Sequence, residues 1–201
     1  MHWHLRFLGT IASVFLIVPA SYGQLVSIDF DDGQGTGIAI DNFYDALGVS
    51  FQGAFWDDIF DGRPGTSSPL QVGSSDGARQ PKAGNPIIAL FSAPVDSVSI
   101  SAIDVGFNDA QLDAYDSADN LVGSSTYEGL SELGNTLTAQ DTSVLSVSGE
   151  DIRRIEFYQP LSVVSNDGVG FDNLTFNIVP EPGTLGLAVL TLLGFGLRIR
   201  F

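Results

Sequence analysis

Cysteine is absent from the chain, and histidine occurs only at His2 and His4. Without cysteine no disulfide can hold the fold together, so a hydrophobic core must do it. Beyond residue 4 there is neither thiolate nor imidazole, which excludes a Ser-His-Asp or Cys-His nucleophile and a conventional zinc site. Positive charge is scarce too, with 8 Lys and Arg in 201 residues. Between Gln24 and Pro182 only Arg63, Arg79, Lys82, Arg153 and Arg154 are basic, while all 24 acidic residues lie there; five against twenty-four leaves −19. Such a field repels the phosphates of nucleic acid and anionic membrane surfaces. It suits a cation-rich exterior, where carboxylate oxygens favour hard cations such as calcium, and it also serves solubility.

Long apolar runs are missing as well, and the two that exist sit at the ends. Phe7 to Val18 follows a short segment carrying Arg6. Twelve residues of helix rise about 18 Å, short of a hydrocarbon core of about 30 Å. Pro19-Ala20-Ser21-Tyr22-Gly23 follows, with small residues at 21 and 23 spaced as at a secretory cleavage site. Residues 1–23 therefore read as a signal peptide, cut before Gln24 or, alternatively, after Ala20. At the other end Leu185 to Leu197 is free of charge and Arg198 and Arg200 close the chain.

The body, 24–178, is large enough for one domain with a sizeable core. Its periodicity is that of strands. Val26, Ile28 and Phe30 alternate, and further short runs occur at Gly48–Phe51, Ala54–Trp56, Ile87–Phe91, Val95–Val105, Ser143–Val147, Ile152–Tyr158 and Val169–Ile178. Leu112–Tyr115 and Leu121–Ser124 flank Asp116-Ser117-Ala118-Asp119-Asn120, a polar link that reads as a hairpin turn and lacks the ligand spacing of an EF-hand. Asp57 to Asn85, rich in Gly and Pro, reads as one long surface loop. With no stretch of helical period, the pattern predicts an all-β antiparallel β-sandwich. A signal helix precedes it and a C-terminal hydrophobic helix follows.

Val179-Pro180-Glu181-Pro182-Gly183-Thr184, the apolar run and the final arginines resemble the PEP-CTERM sorting signal of Gram-negative bacteria. All three of that signal's parts occur in order, although family members commonly end in a denser arginine cluster. The resemblance implies that an exosortase-type membrane enzyme recognises Pro180, Glu181 and Pro182 and removes the tail; a retained anchor is the alternative. The physics is compatible with a transient inner-membrane anchor. The prolines keep a helix from running back into the last strand. The apolar segment nears membrane thickness only if Arg198 and Arg200 snorkel to the cytoplasmic face. Pieces of the body, "GVSFQGAFW", "DAYDSADNLVGSS" and "GVGFDNLTF", resemble galactose-binding-like jelly-roll domains. These commonly bind glycans or calcium.

Several site residues follow as expectations. Jelly rolls commonly set the first strand beside the last, which would bring Asp31 and Asp32 close to Asp172. Period two puts Asp172 on the face of Leu174, Phe176 and Ile178, so it must be metal-bound, hydrogen-bonded within its own turn, or paired with Arg153 or Arg154. Calcium at Asp31, Asp32 and Asp172 is the metal expectation. Trp56, with Phe55 beside it, is a candidate to stack on a sugar, while core or rim packing of the strand is the favoured reading. The function these readings favour is non-catalytic binding of extracellular polysaccharide or matrix at the cell surface. A carboxylate-based glycan hydrolase and a purely structural matrix component are the rivals. In the native host, Glu181→Ala should leave an unprocessed, membrane-held precursor, seen as a retained tail mass; normal release of the mature form would remove the motif from the recognition step.

Overall fold

Two 17-residue strands, β5 (Ile87–Ile103) and β8 (Thr142–Tyr158), organise the molecule. The structure is a computed structural model, and it describes residues 23–58, 71–74, 81–105, 109–129, 142–160 and 168–179. The other strands are β1 (Gln24–Ile28), β2 (Val49–Gln52), β3 (Ala54–Asp57), β4 (Gln71–Ser74), β6 (Ala110–Asp116), β7 (Leu121–Tyr127) and β9 (Gly170–Ile178), with a 3-10 turn at Asp45–Leu47. Every pairing between them is antiparallel. All the described residues fall within the compact unit Tyr22–Glu181.

At about 3.3 Å per residue, β5 and β8 would each run roughly 55 Å if straight. They bend instead. Between Leu90↔Arg154 and Val95↔Ile152, Phe91 to Pro94 of β5 stand against Arg153 alone; between Val95↔Ile152 and Ser97↔Ser148, Gly149 to Asp151 of β8 stand against Asp96 alone. Pro94 cannot donate to a ladder, and Asp151 sits at φ 54, where Asp is better tolerated than most residues. Bulges of this kind bend a sheet. The two halves of β5 and β8 consequently belong to different layers. One layer runs β1–β9–β5–β8 through residues 95–103 and 142–148, with β4 and then β3 beyond the start of β9. The other runs β2–β5–β8–β6–β7 through residues 88–91 and 152–158. This is an antiparallel β-sandwich whose corners are made by strands that pass from one sheet to the other.

Alternate residues of both layers meet in one core. Val26, Ile28, Phe51, Ile87, Ala89, Ile100, Leu112, Ala114, Leu145, Ile155, Phe157, Phe171, Leu174 and Phe176 are all buried. Phe157 and Phe171 stack edge to face at 4.9 Å, as do Phe30 and Tyr44 at 5.6 Å. Gly48 closes the 3-10 turn at φ 89, a conformation costly for other residues, and its N–H bonds back to the Asp45 carbonyl.

Three expectations change. Ile87–Phe91 and Val95–Val105 are one strand, as are Ser143–Val147 and Ile152–Tyr158, because a bulge interrupts a ladder without ending it. The segment Asp57–Asn85 is not wholly loop: β4 pairs with β3 inside it. Among the described residues no helix is long and apolar enough to cross a membrane. Both expected helical flanks, with Pro180, Glu181, Pro182, Arg198 and Arg200, lie outside those residues. Phe157→Ala should cost about 3–5 kcal/mol of unfolding free energy in denaturant titration, since its ring has no exposure and the hole cannot refill.

Candidate functional site

Period two along β6 sends Leu112 and Ala114 inward and Gln111, Asp113 and Tyr115 outward. On β8 the same alternation buries Ile155 and Phe157 and turns out Arg154, Glu156 and Tyr158. Register puts these sets opposite one another as Gln111↔Tyr158, Asp113↔Glu156 and Tyr115↔Arg154. Ser124 and Thr126 of β7 stand across from Asp113 and Gln111. Ile88 and Leu90 of β5 stand across from Glu156 and Arg154. The outer face of the second layer thus gathers two half-buried tyrosines, three acid or amide side chains, one guanidinium, two hydroxyls and two aliphatic side chains.

The side chains on it are tied to each other. Asp113, 8% exposed, accepts hydrogen bonds from Tyr158 Oη at 2.8 Å, Ser124 Oγ at 2.7 Å and Gln111 Nε2 at 2.7 Å. Thr126 Oγ1 donates to Gln111 Oε1 at 2.5 Å. Arg154 lies 3.8 Å above the Tyr115 ring centroid and bonds Glu156 through Nη1 and Asp119 through Nη2, the latter at 3.2 Å. Tyr115 Oη makes a long contact of 3.4 Å to the same Glu156. A buried carboxylate needs such partners, and satisfying it fixes the groups around it. Burial, followed by the Asp113 hydrogen bond and charge, pushes the Tyr158 phenol up to about 12.

The turn beside the site is a polar hairpin, as its composition suggests. Asp116 accepts N–H bonds from Ala118 at 2.8 Å and Asn120 at 2.9 Å. The Asn120 side chain is the first cause of a lowered Asp116 pKa. Ser117 likewise holds Asp151 down, with Arg153 behind it.

The residues singled out from the sequence lie elsewhere. Trp56 is 1% exposed, packed edge-on to Phe43 at 4.9 Å, and a side chain at Gly33 would come within 2.5 Å of its indole nitrogen. It is a core residue, because β3 turns it inward. Its N–H lacks a well-formed hydrogen bond, though it lies close enough to the Tyr44 oxygen to oppose that phenol's rise. Asp32 accepts the Tyr44 hydroxyl at 2.5 Å; burial first, then Asp32, drives the Tyr44 pKa far above its ordinary value.

β1 does lie antiparallel beside β9, Ile28 against Leu174. Yet between Ser99↔Thr175 and Ser101↔Asp172 there are three residues' advance on β9 against two on β5, with Asn173 at φ 53. That bulge breaks the alternation. Asp172, fully buried, pairs with Ser101 and not with the Leu174 face, and its Oδ1 accepts the Asn173 N–H at 2.7 Å. Arg153 is bound to Asp151 and Arg154 to the face above. Among the described residues no three His, Cys, Asp or Glu side chains gather as a cation site.

Residues 179–200 match the PEP-CTERM protein-sorting motif. The motif implies export, sorting to the cell surface and exosortase processing. No curated protein sequence matches the chain. Among solved structures, a mutant of CBM29-2, a family 29 carbohydrate-binding module, is similar over 77% of this chain and 92% of its own, with 13% identity and a TM-score of 0.39. The CBM22-1 xylan-binding domain of Paenibacillus barcinonensis Xyn10C covers 80% of this chain and 99% of its own, at 10% identity and a TM-score of 0.39. Resemblance this distant carries no ligand across.

The Tyr158 proton gives a measurable sign. Its folded pKa of about 12 exceeds the ordinary 10.0, so the folded state holds the proton more tightly. Stability from this group is complete below about pH 10 and is lost as pH rises towards 12. Tyrosinate absorbance should show a late-titrating phenol that Asp113→Asn moves down; an unmoved titration would uncouple the pair.

Proposed function

We propose that the chain is exported behind its leader (1–23) and sorted through its tail (179–201). The sandwich (24–178) then holds extracellular polysaccharide at the cell surface without catalysis. The observation that carries the binding half is the outer face of β7–β6–β8–β5, where Tyr115 and Tyr158 sit among polar groups already fixed by one another. Sugar rings present apolar C–H faces to aromatic and aliphatic surface and hydroxyls to planar polar groups. Groups ordered before binding lose little entropy when the ligand arrives.

The hydrolase rival meets a specific difficulty on this face. Asp113 and Glu156 are directly paired, which sets their Cβ atoms about 5 Å apart. A glycosidase needs one carboxyl to donate a proton. Asp113 accepts from three donors and Glu156 from a guanidinium, so neither is placed to donate.

A glycan array with the full chain in mild detergent tests the reading. At least one polysaccharide class should bind, and Tyr158→Ala should weaken it about tenfold, the equivalent of about 1.4 kcal/mol. Sugar release from the bound glycan, or binding indifferent to both Tyr158→Ala and Tyr115→Ala, would overturn it.

A further inference from the structure

Carboxylates dominate the face built by β6 and β8. Asp113 and Glu156 lie on it, and Asp119 overhangs it from the β6–β7 turn with its side chain 81% exposed. Arg154 is the one base among them. Both of its terminal nitrogens are occupied, Nη1 by Glu156 and Nη2 by Asp119, and its flat side rests on Tyr115. Recognition of a sugar carboxylate ordinarily relies on a free guanidinium fork or ammonium. Arg153 bonds Asp151 and the Ser92 carbonyl. Among the described residues of the face, three carboxylates, Asp113, Glu156 and Asp119, stand with one guanidinium, Arg154, inside a chain whose net charge is −16.

We propose that this face selects its glycan by charge: it takes chains bearing free amino groups in preference to neutral ones and rejects chains bearing uronic acids. The inference rests on the reading of the face as a glycan-binding surface. A protonated amine passing over Glu156 and Asp119 gains attraction at short range and needs no rearrangement of the Arg154 network. A uronate must approach the same carboxylates, and both terminal nitrogens of Arg154 already carry a carboxylate partner. The hydroxyl and ring contacts from Tyr158, Ser124, Gln111 and Leu90 are common to all three sugar classes, so charge decides among them.

The test compares three sugar hexamers, glucosamine, N-acetylglucosamine and galacturonate, on the full chain near pH 6. At about 0.1 M salt the amino hexamer should bind about tenfold tighter than its acetylated form, and galacturonate should not bind. Raising salt to about 1 M shortens the screening length from about 10 Å to about 3 Å and should erase most of that preference. Glu156→Gln should cut the preference about threefold and, by freeing one guanidinium nitrogen, admit galacturonate. Asp119→Asn, on an exposed turn, should do the same if Glu156→Gln disturbs the sheet. Asp96→Asn, on the opposite layer, is the control for the field of the whole acidic body. If no hexamer or polysaccharide binds in any arm, the glycan-binding reading fails and this inference with it. If acetylated and amino hexamers bind equally, or galacturonate binds as well as either, the face binds glycans but does not sort them by charge. If Asp96→Asn lowers the preference as much as Glu156→Gln does, the selection belongs to the overall field and not to this face.

Discussion

The β5–β8 ladder is the constraint on which the rest of the structure depends. These strands pair from Ile87↔Phe157 to Ile103↔Thr142, and the pairing survives two bulges. Each strand supplies the middle of both layers, so every other strand except β3, β4, β1 and β7 pairs with one of them directly. A chain without disulfides gains from this arrangement. The two sheets cannot slide past one another, because the same backbones run through both. The positions of the bends then decide which residues face outward after the corner. A bulge one residue longer or shorter at Gly149 to Asp151 would reverse the alternation of Arg154, Glu156 and Tyr158 and turn the candidate site into the core.

The same register explains why a carboxylate can sit at 8% exposure on an outer face. Asp113 is flanked by strands on both sides, so donors reach it from β7 and β8 as well as from its own strand. Three hydrogen bonds replace the water it has lost, and a hydrogen bond to a charged group contributes about 1.5–3 kcal/mol. The cost of burying that charge is offset only while Tyr158, Ser124 and Gln111 hold their places. Rigidity of the face is therefore a consequence of the buried charge.

Much of this was legible before any coordinates. Alternation in Val26 and Ile28 and the polar turn Asp116–Asn120 reported their elements correctly, since period two and Asx turn chemistry are local properties; Phe30, read into the same strand, lies beyond its end at φ 61 and is buried all the same. The antiparallel neighbourhood of β1 and β9 came from resemblance. What local pattern could not show was the bulge at Asn173. One residue at positive φ reassigns Asp172 from the Leu174 face to the Ser101 side, and the expected grouping with Asp31 and Asp32 depended on that face. Trp56 packs in the core, as large aromatics usually do, though a short strand next to a glycine-rich segment does not by itself reveal which of its faces meets the core. The candidate site was present in the text of the chain as "AQLDAYD" and "IRRIEFY", both alternating polar or aromatic with apolar residues. Those strings mark two amphipathic strands, but only pairing in register makes Asp113, Glu156 and Tyr158 neighbours.

The two outer faces of the sandwich differ in what they offer a sugar. On the first layer a single row of hydroxyls, Ser27, Thr175, Ser99 and Ser146, crosses four strands. Ser99 and Thr175 bond each other at 2.6 Å. Leu25, Asn177, Ser97 and Ser148 form the next row, and no aromatic ring stands in either row. Its side chains are short, they satisfy each other, and the groove they line, about 220 Å³, is shallow and floored by Val98 and Phe176. The second layer carries longer side chains with rings, amide and charge, ordered by a buried carboxylate. A hydroxyl-rich sugar gains little by exchanging water for a surface of serines, because each hydrogen bond made replaces one lost. It gains more where apolar ring surface is covered at the same time. The layer that holds Tyr115, Tyr158, Ile88 and Leu90 offers that combination, and the two serine-rich rows do not.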